Sequence, residues 1–197
     1  MNIYDISQDV YGCSVYPGDP VPKKEVLCSI ANGDVCNLTQ FSMCAHNGTH
    51  LDAPYHFFDN GKKIDQLPLK QTVGFAYLAE TDVDLTKHSA EKIITAARAA
   101  YPGCEKKILI KGKAVVTEEA AQVFVTSGVE LVGVESQTVG PFDAPMEVHK
   151  ILLSADVVLL EGLRLSEVKE GPYFLSAAPL SLGDGDGAPT RAFLIEI

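Results

Sequence analysis

Residues Ala45-His46-Asn47-Gly48-Thr49-His50-Leu51-Asp52-Ala53-Pro54-Tyr55-His56 place three of the chain's five histidines and a carboxylate within eleven residues. Imidazole and carboxylate at this density are the donor types of a metal site. His46, His50, Asp52 and His56 share parity, so an extended backbone with its period of two turns all four to one face. A helix does not, because Pro54 and Gly48 oppose it and Asp52 would swing away from the His46/His50 side. On a straight strand His46 and His50 would lie about 13 Å apart, too far for nitrogens that must each approach one ion to about 2 Å. The chain must therefore bend between them, and Gly48, without a Cβ, is the residue suited to the bend.

Outward from this stretch, Val26–Ile30 and Val35–Met43 flank Asn32-Gly33 and read as an antiparallel hairpin that leads into the histidines. Ile3–Ile6 is a short strand, followed by a loop whose Pro17-Gly18-Asp19-Pro20 enforces turns. On the C-terminal side Gly74–Glu80 is a strand, and Ser89–Tyr101 is a helix with Ile93, Ile94, Ala97 and Ala100 on one side, stopped by Pro102-Gly103. Lys107–Ile110 is a strand. Thr117 caps a helix through Val125 that Gly128 closes, and Val129–Glu135 is the next strand. His149–Ser154 suits a short helix, Val157–Glu161 a buried strand and Arg191–Ile197 a final alternating strand. Strands dominate early and alternate with helices later, which predicts one α/β domain over residues 1–197, built of mixed sheets with flanking helices.

A chain of 197 residues can bury about 70% of its unfolded surface and needs no disulfide staples. Its five cysteines (Cys13, Cys28, Cys36, Cys44, Cys104) are odd in number and contain no Cys-x-x-Cys pair, which argues against a disulfide framework and a thiolate zinc knuckle. The N-terminal residues show neither a basic nor an apolar leader region, and no run approaches eighteen apolar residues, so a cytoplasmic protein is expected. A net charge of -10 and basic runs no longer than two residues set aside nucleic acid and anionic membranes as partners.

A water-activating site wants imidazole and carboxylate donors with an open position, whereas a structural zinc is commonly closed by cysteine. The cluster has the first character. Two downstream residues extend it. Glu161 ends the apolar run Val157-Val158-Leu159-Leu160, where a carboxylate without a cation or proton is costly. His149 reads from spacing alone as either a ligand or a solvated helix residue.

The stretch from His46 to His56 resembles the His-x-Gly-Thr-His-x-Asp-x-Pro-x-His signature of the cyclase superfamily, which includes the bacterial kynurenine formamidases. Tyr16-Pro17-Gly18-Asp19 is similar to that family's Pro-Gly-Asp loop, Gly133-Val134-Glu135-Ser136 to its Gly-x-Asp-Ser segment, and Pro179-Leu180 with Asp186–Ala192 to its closing segment. The resemblance implies a swivelling β/β/α-type fold, a homodimer or homotetramer, and a site for zinc, two ions per chain, or manganese. It further implies that His46 and His50 hold the first metal and His149 the second, that Asp52 and Glu161 bridge them, and that His56 is the general acid/base. The implied reaction is hydrolysis of a small-molecule amide by activated water, as in the formamidase step of tryptophan catabolism.

Four departures bear on the substrate. Tyr16 aligns with the tryptophan that lines the formamidase pocket, and reads as a substrate contact or as loop packing. Lys111-Gly112-Lys113 replaces an Arg-Thr-Gly and a longer loop, Gly162 replaces a common asparagine, and Glu135 an aspartate. Three functions follow: hydrolysis of an aryl formamide such as N-formylkynurenine; hydrolysis of a cyclic amide such as isatin, or of a lactone, at the same site; or metal or ligand binding without catalysis. Gly183–Gly187 lacks the glutamate of a calcium loop, position 195 being isoleucine, and reads as a turn. His88 reads as a surface residue and Cys44 as a small buried one.

Overall fold

Apolar runs in the second half of the chain become the middle of one sheet. The computed structural model describes residues 1–197. In chain order it contains β1 (Ile3–Asp5), β2 (Lys23–Cys28), β3 (Leu38–Ser42), β4 (His50–Asp52), the short helix α1 (Leu69–Thr72) and β5 (Val73–Glu80). There follow α2 (Lys87–Ala100), β6 (Lys107–Lys111), α3 (Glu118–Ser127), β7 (Leu131–Val134), α4 (Met146–Ser154), β8 (Val158–Glu161), β9 (Gly171–Ser176), β10 (Gly187–Pro189) and β11 (Phe193–Glu196). Nine strands form a mixed sheet in the order β1-β11-β9-β5-β6-β7-β8-β4-β10, and β2 with β3 forms a separate antiparallel pair.

β5, β6, β7 and β8 are parallel neighbours, joined through α2, α3 and α4. Such strands are covered on both faces, which is why they read as unbroken apolar runs. Ile108 and Ile110 of β6 pack with Ile94, Phe124 and Leu152 from the helices. Leu109 between them points the other way, to Leu131, Leu160, Leu163 and Leu175. Strands from both ends of the sheet, through Leu51, Ala188 and Leu194, enter that second layer, so the sheet curls around it. Each such buried side chain contributes about 1.5–3 kcal/mol.

The expected α/β domain of mixed sheets with flanking helices is the observed one. Several bounds differ for local reasons. α2 starts at Lys87, because the Thr86 hydroxyl accepts from Ser89 N and the Ser89 hydroxyl accepts from Thr86 N; His88 therefore lies inside its first turn. α4 starts at Met146, three residues before His149. The hairpin runs Lys23–Cys28 and Leu38–Ser42, since Asp34 and Asn37 accept from Ser29 N and Ile30 N and so end both strands early. The last strand is only Phe193–Glu196, and β9 and β10 stand where no strand was expected. β9 opens with Gly-Pro and is a strand because β5 and β11 pair with it on either side.

Candidate metal centre

β4 lies antiparallel to β8 on one side and to β10 on the other, in a register that sets His50 opposite Glu161 and Asp52 opposite Gly187. The period of two turns His50 and Asp52 to one face, as parity requires. The extended reading stops there. His46 stands in a turn held by Asn47 N donating to Cys44 O, with Gly48 at φ +66°. A Cβ on Gly48 would come within 2.9 Å of Cys13 Cβ, so the bend and its packing both require glycine. His56 sits on a 3-10 turn, Pro54–His56, not on a strand. The four residues therefore converge by two turns around a short strand, not by alternation along one strand.

His149 lies in the second turn of α4 and is 4% exposed, which removes the solvated reading. Its backbone N and its ring Nδ1 both donate to Pro145 O, leaving Nε2 to face Glu161 Oε1 at 3.2 Å and Asp52 Oδ2 at 3.6 Å. His50 is fixed in the same way. Its Nδ1–H donates to Gly48 O at 3.0 Å, and its Nε2 faces Asp52 Oδ1 at 3.4 Å and Glu161 Oε2 at 3.5 Å. His46 presents Nδ1 to Asp52 Oδ1 at 2.8 Å and Nε2 to Asp186 Oδ2 at 2.9 Å. Three close groups result, each with ligand atoms within 4.8 Å of one another: His46/His50/Asp52 and Asp52/His149/Glu161, which share Asp52, and His46/His56/Asp186. Asp52 and Glu161 each send one oxygen toward either of the first two.

Burial lowers the His46 pKa, but hydrogen bonds donated to Asp186 and Asp52 overcome it and raise it to about 11. For His50, burial is likewise outweighed by Asp52 and Glu161, to about 9. His149 is raised by Glu161 against its burial. Burial would raise Asp52, yet His46 and His50 hold it well below the usual carboxylate range. The buried carboxylates thus demand positive charge at this point, and three imidazoles that each turn a nitrogen to these two carboxylates are the donor set of a divalent metal such as zinc. His56 behaves oppositely: burial pushes it below its ordinary value.

The histidines floor a cavity of about 340 Å³ whose wall includes Tyr16, Asp19, Phe57, Gln137, Thr138 and Met146. Tyr16 packs on Phe142, which borders the neighbouring cavity, with ring centroids 5.4 Å apart and planes tilted by 38°. Lys111 is turned away, donating to Glu80 and to Val168 O. Gly112 and Lys113 border a neighbouring cavity that meets this one at Thr138. Thr138 Oγ1 is buried without a hydrogen-bond partner. Glu135 accepts from Gly112 N and Leu165 N, so the longer acid ties two loops together behind the site. The space beside Gly162 is filled by Gln8 and Gln137, whose amide nitrogens would lie 2.6 and 2.3 Å from a Cβ there. Cys44 Sγ is half-buried, 4.0 Å from Asp19.

Asp186 is the site residue that sequence reading passed over. It lies in the glycine-rich turn before β10 and reaches His46, and its Oδ2 stands 3.6 Å from His56 Nδ1. The signal was its membership in the closing segment Asp186–Ala192, not its local context, which reads only as a turn.

Comparison with known proteins gives one consistent picture. The cyclase family model matches residues 4–141. A kynurenine formamidase of Erythrobacter litoralis (strain HTCC2594) is 31% identical over 206 positions, covering 99% of this chain and 94% of that protein. A solved structure described as a potential metal-dependent hydrolase with cyclase activity is 30% identical, with a TM-score of 0.78 over 98% of this chain and 96% of that one. Isatin hydrolase A from Labrenzia aggregata, 20% identical, shares the fold at a TM-score of 0.81 over 98% of this chain and 93% of that one.

Proposed function

The chain belongs to the cyclase family, and on that premise we propose that it is a metal-dependent hydrolase of C–N amide bonds whose substrate is an aryl formamide such as N-formylkynurenine. The observation that carries this reading is the division of Asp52 and Glu161 between two histidine groups, each carboxylate giving one oxygen to either side. His46 and His50 would hold a first ion, His149 a second, with Asp52 and Glu161 bridging; zinc fits these donors, and manganese is accepted by the same set.

When bound, such ions polarise a carbonyl and lower the pKa of water toward neutrality. His56, kept neutral by burial, takes the proton of the attacking water and returns it to the leaving nitrogen. Its ring lies 4.0 Å from that of His46, beside the donors but with a free edge toward the cavity. Tyr16, on the cavity wall and packed against Phe142, supplies aromatic surface for an aryl group.

We also place the chain in a homodimer or homotetramer. The β2–β3 hairpin supports this: Val26, Leu27, Leu38 and Phe41 are exposed on a two-stranded sheet, and Val35 in the connection between its strands, and such a sheet is marginally stable alone. Five free cysteines accord with a reducing cytoplasm, and no helix is long and apolar enough to cross a membrane.

Hydrolysis of N-formylkynurenine by zinc- or manganese-loaded protein tests the reading. Turnover that His56→Ala abolishes, with metal still bound, is the expected result. Loaded protein that leaves the formamide intact but opens isatin or a lactone would move the assignment to cyclic substrates, and loaded protein inert toward all of them would make the chain a binding protein.

A further inference from the structure

The glycine-rich turn before β10 delivers Asp186 to a defined place. Ala53 N donates to Asp186 O and Ile64 N to Gly185 O, so the turn is tied to the chain on both sides of His56. Gly187 then allows His46 to lie against the backbone, since a Cβ there would stand 2.6 Å from His46 Cε1. From that position one oxygen, Asp186 Oδ2, faces two histidines: His46 Nε2 at 2.9 Å and His56 Nδ1 at 3.6 Å.

An imidazole that ligates through one nitrogen carries its proton on the other, and the partner of that second nitrogen sets tautomer and ring orientation. His50 and His149 meet this need with neutral carbonyls, Gly48 O and Pro145 O. For His46 the partner is a carboxylate, and the same carboxylate borders His56. Resting on the metal site proposed above, we infer that Asp186 is a positioning residue shared by a metal ligand and the acid/base. It holds the His46 proton on Nε2, leaving Nδ1 for the donor group with His50 and Asp52. Its charge, 3.6 Å from His56 Nδ1, favours the His56 proton on that nitrogen, leaving Nε2 as the nitrogen that exchanges protons in the cavity. The close group His46/His56/Asp186 is then a link between ligand and base, hydrogen-bonded at His46 and in charge contact at His56, and not a third metal position.

The test is zinc affinity by chelator competition, zinc stoichiometry, and the ring ¹⁵N signals of the histidines. Asp186→Ala is expected to weaken zinc about 10- to 100-fold without lowering the number of ions bound at saturation, and to turn the His56 signals into a tautomer mixture. Asp186→Asn keeps an acceptor and should restore the tautomers with part of the affinity; it also serves if the alanine variant does not fold. Asp184→Ala, in the same turn but paired with Lys63, should match the parent in both readouts. Parent-like affinity and tautomers in the Asp186 variants overturn the inference, and so does the loss of a whole ion, which would make Asp186 a ligand. A parent chain that takes up neither zinc nor manganese overturns the metal reading beneath it instead.

Discussion

His50 on β4 stands directly opposite Glu161 on β8, and the pleat turns both side chains to one face, with Nε2 3.5 Å from Oε2. That single cross-strand register joins the histidine-rich stretch to the second half of the chain. Glu161 Oε1 is held in turn by Val139 N at 2.7 Å and reaches His149. A carboxylate at the end of an apolar strand is thereby given three partners, which offsets the cost of burying it.

The division into two donor groups gives a stoichiometric expectation. His149→Ala should lose the second ion and keep the first, read by native mass spectrometry of zinc-loaded protein, with turnover reduced at least a hundredfold. Full loading in that variant would show that both ions are held without His149.

The acid/base role proposed for His56 sets an expected pH dependence. Burial lowers its pKa, so the neutral form is present at and above 6.5 and persists some way below. The acidic limb of kcat/KM is therefore expected at a pH under 6.5, with activity falling as pH drops through that lowered value. A limb above 6.5 would mean that another group, or a cationic His56, governs the rate.

Gly187→Ala drives a methyl group into the His46 ring and the Leu51 carbonyl, at 2.6 and 2.7 Å. We expect a loss of about 1–3 kcal/mol in stability from the overpacking and at least a tenfold weaker zinc affinity as His46 is displaced. Chemical denaturation and chelator competition read the two effects separately, and parent-like values in both would remove the close approach as a constraint.

The assembly proposed above is tested at the exposed hairpin. Val26→Ser with Phe41→Ser removes apolar surface that is 59% and 52% exposed in the single chain, so monomer stability should change by less than about 0.5 kcal/mol per site. Sedimentation should shift toward the monomer. An unchanged oligomer would place the interface elsewhere, and a parent chain that already sediments as a monomer would end the oligomeric proposal.

Much of this was legible in the chain before folding was considered. The donors between His46 and His56 are local, and so are the parity of His50 and Asp52, the cap at Thr117, and the anomaly of a glutamate closing Val157–Leu160. Helix capping and strand period act over a few residues, and residue order alone carries them.

What the order of residues by itself determined was therefore the donor inventory, the need for a bend at Gly48, and an α/β pattern of strands and helices. Only the tertiary structure decided which donors meet. His149 became a buried partner because α4 begins at Met146 and packs its second turn against β8, and β9 became a strand because β5 and β11 flank it. Asp186 entered the site because β10 pairs with β4 in a register that brings a glycine-rich turn beside His46 and His56. Registers and packing of this kind join segments far apart in the chain, and their energy lies in contacts that do not exist until both partners are in place.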